Sequence, residues 1–525
     1  MNELTADPLP SSEEHQKTLR RMARVESENR ALKRQLEWYE KQFFGRKSER
    51  RPLDPPQQTH FHDALGEPPE TPPEPESRTI TYERRVGSGK RRSDNDVNDS
   101  GLRFTSEVPV QIIEETPEEL QGPEADQYEV IGTKVTQRIA QRTVSHVILQ
   151  FERPVLKRKS DNQVITPPAP EAVLERSVAD VSFLAGLLID KFLYHLPLHR
   201  QHQRLTRTGI TLSRSTLSNL CKRSIELLRP VVEAQLEHVL HSRVLAMDET
   251  PIKASRDGPG KMKQCWVWPV YGDQDEVVFT FANSRGRMHI EQVLRQDFKG
   301  TLLTDGYGAY ASYQKQVAHL THAQCWVHAR RTLLKAEKEE PEALARALQM
   351  IGELYAHEEH IREQKLAGEK KRQYRLIHSK PMVDQFFAFC QEQLRRPDLL
   401  PSDPWMQGLN YALKREHQLR VFLENPDVAM DTNHVEREIR PIPLGRKNWL
   451  FCWTELGAEH LCLIQSLIST CKLHDINPTT YLIDVLQRIS RHPAKDVVEL
   501  TPRVWKEKFA DNPLRSVIDQ AVNYV

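Results

Sequence analysis

Two aspartates each stand at the end of a short apolar run of the sequence. Carboxylates in such positions can support chemistry at phosphorus. Asp248 ends a run that starts at Arg243, and Asp305 ends one that starts at Thr301. Each run predicts a buried strand that delivers a carboxylate at its end. A single aspartate at a strand end is more often a turn or capping residue. The pair, rather than either residue alone, therefore indicates a functional site.

Two neighbouring carboxylates repel each other, and a divalent cation between them makes the arrangement favourable. Mg²⁺ prefers oxygen ligands and completes its octahedron with water and phosphate. Two such ions about 3.5 to 4 Å apart can activate an attacking oxygen and stabilise the leaving one. We expect a third carboxylate to hold the second ion. The residues alone leave other phosphoryl-transfer and carboxylate folds open.

The order of the predicted elements favours a sheet in which the two aspartates meet. Strand patterns follow Asp248 at Cys265–Val270 and Val277–Phe281, and a helical pattern follows at Arg287–Gln296. The strand that ends at Asp305 comes next. Three antiparallel strands, a helix and a fourth strand form the start of a ribonuclease-H-like sheet, in which the first and fourth strands lie side by side. We therefore predict an α/β core, a mixed sheet flanked by helices.

Residues 1–48 have the spacing of a coiled coil. Apolar residues recur in alternating steps of three and four from Met22 to Phe43, and Asn29 lies in the same seam. An asparagine there costs stability but favours a two-stranded pairing. We expect self-association through this helix. One amphipathic helix packed against its own chain is the alternative.

Three further segments precede the aspartates. Residues 49–100 are rich in proline and charged residues, which predicts a disordered linker. Alternating apolar residues predict a small β-rich module over 101–165. Residues 172–240 have helical spacing, with Ser213 placed to cap a helix. A helix-turn-helix that binds DNA through this helix and an ordinary helical hairpin both fit. The basic residues on its outer side are Arg214, Lys222 and Arg223.

Composition sets broad limits on the protein class. A chain of 525 residues with 38% hydrophobic and 28% charged residues predicts two or three globular units with a wet surface. The 74 Lys and Arg residues nearly balance the 73 Asp and Glu residues, so net charge gives no nucleic-acid signal. The most apolar stretch, Val181–Leu198, contains Asp190 and Lys191, and all cysteines lie at or after Cys221. We expect a cytoplasmic protein with no membrane segment.

Several strings of the sequence together resemble the transposases of the insertion sequence 66 family, over about Ala172 to Leu482. Each string alone would be a weak signal, and the combination is specific. The strings are Ala246–Pro251, Leu303–Tyr310, Cys325–Arg331, Asn433–Pro441 and Leu444–Phe451.

The resemblance implies a DDE-type catalytic domain over 241–475 with a ribonuclease-H-like fold. It implies a helical insertion at about 336–430, and residues 476–525 are expected to form a C-terminal helical segment. Two Mg²⁺ ions are the implied cofactors, and Mn²⁺ could replace them. The implied catalytic and metal-binding triad is Asp248, Asp305 and Glu436.

The choice of Glu436 rests on the family motif. Glu436 and Glu438 point about 200° apart on a helix, so geometry alone allows either residue to face the ions. Arg440 follows Glu436 by one turn and belongs to a basic strip suited to the phosphates of the cut DNA. The basic residues expected to bind DNA in this region are Arg437, Arg440, Arg446 and Lys447.

Cys325 and His328 form half of a zinc-binding pattern. A second pair at suitable spacing is missing from the sequence, and a soft thiolate is a poor ligand for Mg²⁺. The resemblance places this motif on the helix after the second aspartate. We therefore expect Cys325 and His328 to support the active site rather than to bind a metal.

One departure from the family concerns the N-terminal region. Relatives commonly carry a cysteine-rich, zinc-finger-like segment between the coiled coil and the catalytic domain. No cysteine precedes Cys221 in this chain. The module at 101–165 is therefore expected to be a degenerate form, which either keeps the shape without zinc or has lost the DNA-binding role.

The resemblance also implies the reaction and its partners. A phosphodiester is hydrolysed at each transposon end, and the freed 3′-hydroxyl attacks target DNA. The implied partners are double-stranded DNA, further copies of the chain in a synaptic complex, and small accessory proteins of the same element, at the bacterial nucleoid. Two other classes stay open: an inactive, transposase-derived DNA-binding regulator, and a structure-specific nuclease of the same fold.

Overall fold

The computed structural model describes residues 102–520, apart from positions 107, 142–144, 167, 169, 176, 257, 259–260, 296–297 and 318. The coiled coil predicted at 1–48 and the linker predicted at 49–100 lie outside the described residues. The chain divides into two units by its contacts, and nearly all described residues belong to the unit of Asn95–Arg395 and Pro401–Val525.

The strands and helices of the described residues are numbered here in chain order. The strands are β1 (Arg103–Phe104), β2 (Val110–Glu114), β3 (Tyr128–Gln141), β4 (His146–Arg158), β5 (Val164–Ile165), β6 (Ile210–Thr211), β7 (Val244–Met247), β8 (Thr250–Arg256), β9 (Met262–Tyr271), β10 (Val277–Ala282), β11 (Thr301–Thr304) and β12 (Thr321–Gln324). The helices are α1 (Val181–Leu188), α2 (Leu198–Arg207), α3 (Arg214–Leu240), α4 (Arg287–Leu294), α5 (Gly308–Gln314), α6 (Trp326–Leu333), α7 (Pro341–Glu363), α8 (Gly368–Tyr374), α9 (Lys380–Leu394), α10 (Pro404–Leu413), α11 (Glu416–Glu424), α12 (Asn433–Ile439), α13 (Pro441–Trp449), α14 (Glu455–Leu473), α15 (Pro478–Arg488), α16 (Pro502–Phe509) and α17 (Val517–Gln520).

The central sheet has six strands in the order β10-β9-β7-β11-β12, with β8 paired to β9. Strand β7 is antiparallel to β9 and parallel to β11, and β12 is parallel to β11. The first and fourth predicted strands, β7 and β11, are therefore neighbours, as the sequence predicted. Since β7, β11 and β12 run in the same direction, their carboxyl ends lie at one edge of the sheet.

Burial explains why such short runs form strands. Every residue of β7 and β11 is buried, and fully buried parallel strands have continuous apolar sequences. On one face of the sheet the ring of Trp268 from β9 contacts Tyr310 of α5 and His289 of α4, with ring centroids 6.0 and 5.4 Å apart. The sheet is thus flanked by helices that share its core, which gives a mixed α/β fold.

Strand β10 lies at the edge of this sheet, and α14 covers it. The N–H of Phe279 donates to the hydroxyl of Ser466 at 2.8 Å, and the N–H of Val277 donates to the hydroxyl of Thr470 at 3.2 Å. Gln235 of α3 donates to the carbonyl of Val277 at 3.0 Å. These polar side chains satisfy backbone groups that an open edge strand would leave unpaired.

Helices α7 to α11 occupy the region where the sequence predicted a helical insertion. Trp326, the first residue of α6, joins them to the sheet: its backbone N–H donates to Met430 at 3.1 Å and its indole N–H to the carbonyl of Leu419 at 2.9 Å. Its ring packs against Phe386 and Phe422. Because Trp326 is fully buried, the insertion and the carboxyl edge of the sheet share one core.

A second sheet forms in the region of the predicted β-rich module, with the order β2-β4-β3 and β5 paired to β4. Its core includes Leu149, Phe151 and Ile518, the last of these from α17. The N–H of Asp180 donates to Ile139 of β3 at 2.8 Å, which links the module to the start of α1. No helix in the described part of the chain combines the length and apolar character needed to cross a membrane.

Candidate active site

Asp248 and Asp305 follow the last residues of the adjacent parallel strands β7 and β11. The register places Leu303 opposite Ala246, so that the two aspartates come next to each other beyond the strand ends. Carboxylate oxygens of Asp248, Asp305 and Glu249 lie within 4.8 Å of one another. The structure therefore brings together the first two predicted site residues and adds a third carboxylate, Glu249.

The backbone orients both aspartates. One oxygen of Asp248 accepts a hydrogen bond from the N–H of Glu249 at 2.8 Å, and one oxygen of Asp305 accepts from the N–H of Tyr307, also at 2.8 Å. Such side chain to backbone bonds are typical of aspartates at turns. Here they hold two carboxylates side by side at the end of a rigid sheet.

Proximity of like charges has a clear electrostatic effect on Asp248. Its pKa is raised to about 7, and burial is the largest cause. The charges of Glu249, Asp305 and Glu436 add to this rise, and the hydrogen bond from the N–H of Glu249 opposes it. The ionised form is therefore disfavoured when these carboxylates face one another alone. A divalent cation among them would reverse the balance.

Glu436 lies on α12 and faces α6. Its carboxylate accepts hydrogen bonds from Arg331 at 3.2 and 3.3 Å, and the Nε2 atom of His328 is 3.8 Å away. It lies outside the group of oxygens within 4.8 Å, although its charge raises the pKa of Asp248. Glu438 is 9% exposed, and Ser469 of α14 hydrogen-bonds to it. The packing of α12 thus turns Glu436 toward α6 and Glu438 toward α14.

Cys325 follows β12 and therefore lies at the same edge of the sheet. The N–H of Thr432 donates to its sulfur at 3.3 Å. Burial raises the pKa of this thiol to about 11. The thiol is thus a buried hydrogen-bond acceptor that holds the chain just before α12. Cys325 precedes α6 by one residue, and His328 lies on the helix.

The side chains that surround Glu249 were not predicted from the sequence to have a role. Glu249 accepts a hydrogen bond from Arg285 at 2.7 Å and another from the hydroxyl of Tyr310 at 3.0 Å. Burial raises the pKa of Glu249, whereas Arg285 and Tyr310 act to lower it. The only signal in the sequence is the position of Glu249 next to Asp248. Arg331, the partner of Glu436, was likewise present only as part of a motif.

The predicted DNA-binding residues near Glu436 lie on α12 and α13. Arg437, Arg440 and Lys447 are exposed. Arg446 is half-buried, and one guanidinium nitrogen donates to the carbonyl of Pro251 at 2.5 Å. Arg446 therefore ties α13 to the start of β8, close in sequence to Asp248, while the other three side chains face solvent.

The other predicted DNA-binding residues, Arg214, Lys222 and Arg223, are exposed on α3. Ser213 caps this helix as expected, because its hydroxyl accepts from the N–H of Thr216 at 3.0 Å. Strand β6 lies in the connection between α2 and α3, and α3 is 27 residues long. These residues belong to a different element from the carboxylates.

Comparison with known proteins identifies the family. Residues 176–460 match the family profile described as "Transposase IS66 family", and residues 466–503 match "IS66 C-terminal element". Two proteins of Sinorhizobium fredii (strain NBRC 101917 / NGR234), named uncharacterized proteins y4hP and y4jD, are similar to this chain. The first is 28% identical over 401 residues, 72% of each chain, and the second 30% over 366 residues, 66% of this chain and 70% of the relative.

Among solved structures, a chain of the "Crystal structure of the Mos1 Strand Transfer Complex" has 13% identity and a TM-score of 0.12, covering 50% of this chain and 82% of that one. No residue correspondence follows from so low a score. The family profile spans more than half of the sequence. The chain therefore belongs to the IS66 family of transposases.

Proposed function

We propose that this transposase cuts DNA at the ends of its element and joins those ends to target DNA, with a triad of Asp248, Asp305 and Glu436. The proposal rests on the meeting of two aspartates at the carboxyl ends of adjacent parallel strands. It includes a ribonuclease-H-like core, because three antiparallel strands are followed by two parallel ones in the order that such a sheet requires.

The residues present fit a pair of Mg²⁺ ions. The donors are carboxylate oxygens, which Mg²⁺ prefers and Mn²⁺ also accepts. Burial and, to a lesser degree, the charges of Glu249, Asp305 and Glu436 raise the pKa of Asp248, which supports a role for a cation in stabilising its ionised form. When bound, the ions supply Lewis-acid activation at phosphorus and stabilise the attacking and leaving oxygens. The residues that would hold them are Asp248, Asp305 and Glu436.

The chain's own groups would orient the reaction. The N–H groups of Glu249 and Tyr307 hold the two aspartates in place. Arg331 and His328 hold Glu436 beside α6. Since phosphate contacts position a protein on DNA without reading its sequence, the exposed side chains of Arg437, Arg440 and Lys447 would set the register of the cut strand.

Double-stranded DNA is the proposed substrate, both as transposon ends and as target. Arg214, Lys222 and Arg223 on α3 would add phosphate contacts away from the carboxylates. Two ends must be joined to one target, so we expect further copies of the chain in the active assembly. Small accessory proteins of the same element are proposed as additional partners.

The test uses the purified full chain, DNA that carries both element ends, a target plasmid and Mg²⁺. Asp248→Asn, Asp305→Asn and Glu436→Gln should each reduce cleavage and joining to the level seen without a divalent cation. Glu438→Gln is the matched control on the same helix and should keep cleavage. Cleavage by Glu436→Gln at the wild-type rate would contradict the triad.

The same experiment separates the alternative functions. Joining of cut ends to the target plasmid distinguishes a transposase from a structure-specific nuclease, which cuts without joining. Binding of the ends without any cutting by the wild-type chain would instead identify an inactive regulator.

A further inference from the structure

Glu249 is close enough to the two aspartates to compete with Glu436 as the third ligand. Its oxygens belong to the group within 4.8 Å, whereas those of Glu436 do not. Distance alone would therefore assign a ligand set of Asp248, Glu249 and Asp305. The hydrogen bonds of Glu249 argue against that assignment.

The carboxylate of Glu249 is occupied by protein donors. One oxygen accepts from two nitrogens of Arg285, with Nε at 2.7 Å, and the other accepts from the hydroxyl of Tyr310 at 3.0 Å. The side chain of Glu249 is 0% exposed, and Tyr310 is also fully buried. A buried carboxylate that loses an arginine partner leaves an uncompensated charge, so this pairing is expensive to break.

Arg285 is held in turn by two aromatic rings. Its guanidinium carbon lies 4.0 Å from the ring centroid of Tyr307 and 5.1 Å from that of Trp266. The hydroxyl of Tyr307 donates to the backbone carbonyl of Arg285 at 2.8 Å. Cation–π contacts of this kind favour one position of the guanidinium.

Arg285 therefore connects the two residues that orient the aspartates. It binds the side chain of Glu249, whose N–H holds Asp248, and it contacts the ring of Tyr307, whose N–H holds Asp305. Movement of Arg285 would disturb both aspartates through these two backbone groups.

We propose that Arg285 keeps Glu249 out of the metal-binding set and, through Glu249 and Tyr307, positions Asp248 and Asp305. Glu249 and Arg285 are positioning residues in this view, and Glu436 remains the third ligand. This inference rests on the proposed function. By binding Glu249, Arg285 would also prevent this carboxylate from drawing a cation toward the interior of the site.

The test measures Mn²⁺ binding to the full chain without DNA, by electron paramagnetic resonance of the unbound ion. Glu249→Gln keeps the shape of the side chain and should change the Kd by less than about twofold, whereas Asp248→Asn should weaken binding by more than about tenfold. Arg285→Gln should tighten binding because it releases Glu249. The double variant Glu249→Gln, Arg285→Gln should lose this gain in affinity, because no carboxylate is released at position 249.

Cleavage assays provide a second measurement. Arg285→Gln should lower kcat by about 10- to 100-fold at saturating Mg²⁺ with little change in the KM for DNA. Arg285→Lys, which keeps the charge but loses the forked hydrogen bonds, should restore part of that loss.

Two outcomes would overturn the inference. One is a loss of Mn²⁺ affinity in Glu249→Gln as large as that in Asp248→Asn, which would make Glu249 a ligand. The other is unchanged or weaker binding in Arg285→Gln, which also decides the question if Glu249→Gln does not fold. Unaltered Mn²⁺ binding in Asp248→Asn would contradict the proposed function itself, so the two failures are distinguishable.

Discussion

Asp248 shows how one partly buried carboxyl group can lower the stability of the folded protein. Its carboxyl group loses hydration and faces other carboxylates, so its pKa rises from 3.8 to about 7 in the folded chain. A cation would remove this cost, and the site therefore gains stability when it is loaded. Such a trade between stability and reactivity is common where charges converge for catalysis.

This shift predicts the direction of a pH dependence. A carboxyl group with a raised folded pKa contributes stability below pH 3.8, and that contribution is lost as the pH rises through about 7. In the presence of a chelator, urea unfolding should show that Asp248→Asn gains stability relative to the wild type between pH 5 and pH 8. Saturating Mg²⁺ should abolish this difference in pH dependence between the wild type and Asp248→Asn.

The control for this measurement is Asp511→Asn, which alters an exposed carboxyl group. Its pH profile should follow that of the wild type. If the wild type and Asp248→Asn respond identically to pH in the chelated state, Asp248 is not buried among like charges as described.

At the scale of elements, the site depends on how α12 is docked. Cys325 at the end of β12 accepts from the N–H of Thr432, one residue before α12, and Trp326 donates to Met430 just upstream. These contacts place Glu436 relative to the strand ends. Two elements that are distant in sequence are therefore joined by a hydrogen bond to a thiol.

Removal of this thiol should uncouple α12 from the sheet. Cys325→Ala leaves the N–H of Thr432 without its acceptor, which should cost about 1–3 kcal/mol of unfolding free energy and lower DNA cleavage more than the stability loss explains. Cys325→Ser keeps an acceptor and should recover most of the cleavage. Cys390→Ala, which removes a buried sulfur from α9, controls for the lost volume. Equal cleavage by the alanine and serine variants would disprove the docking role.

The same elements show what the sequence can and cannot predict. Strands β7 and β11 were recognisable because strands buried on both faces have continuous apolar runs. Strand β12 has no such run: it contains His322, whose ring pairs with the hydroxyl of Thr304 at 2.8 Å. Strand β8 alternates buried and exposed residues and contains Lys253, and it was also missed.

The choice between Glu436 and Glu438 illustrates a second limit. A helix of this length presents both side chains, on different faces, and no local rule selects one. Tertiary packing decides which neighbour each side chain faces: Glu436 faces α6, and Glu438 faces α14. The network of Glu249, Arg285 and Tyr310 was missed for the same reason, because its members are far apart in sequence.

At the scale of the whole molecule, the helical insertion contacts the chain next to Asp305. Arg415 near the end of α10 donates to the carbonyl of Gly306, directly after Asp305, at 2.9 Å. Arg375 is 0% exposed and binds Glu358 of α7 at 2.7 and 2.8 Å. It also donates to the backbone carbonyl of Phe422 on α11 and to those of Asn425 and Val428 between α11 and α12.

Arg375→Met should therefore destabilise the chain strongly. The change leaves the charge of Glu358 and several carbonyls without their partner, with an expected loss of about 3–5 kcal/mol of unfolding free energy. Arg362→Met removes a 71% exposed side chain that pairs with Glu359 and should cost less than about 1 kcal/mol. Chemical denaturation of the two variants makes the comparison, and similar losses would show that Arg375 does not hold the insertion together.

The position of Glu436 after the insertion has a consequence for protein synthesis. A ribosome releases Asp248 and Asp305 first, then α7 to α11, and only afterwards α12 with the last member of the triad. By the proposed mechanism, a nascent chain cannot cut its host's chromosome until the insertion has been translated and packed around Trp326. Premature termination inside the insertion would release a fragment that contains Asp248 and Asp305 but lacks Glu436, and we expect such a fragment to cut no DNA.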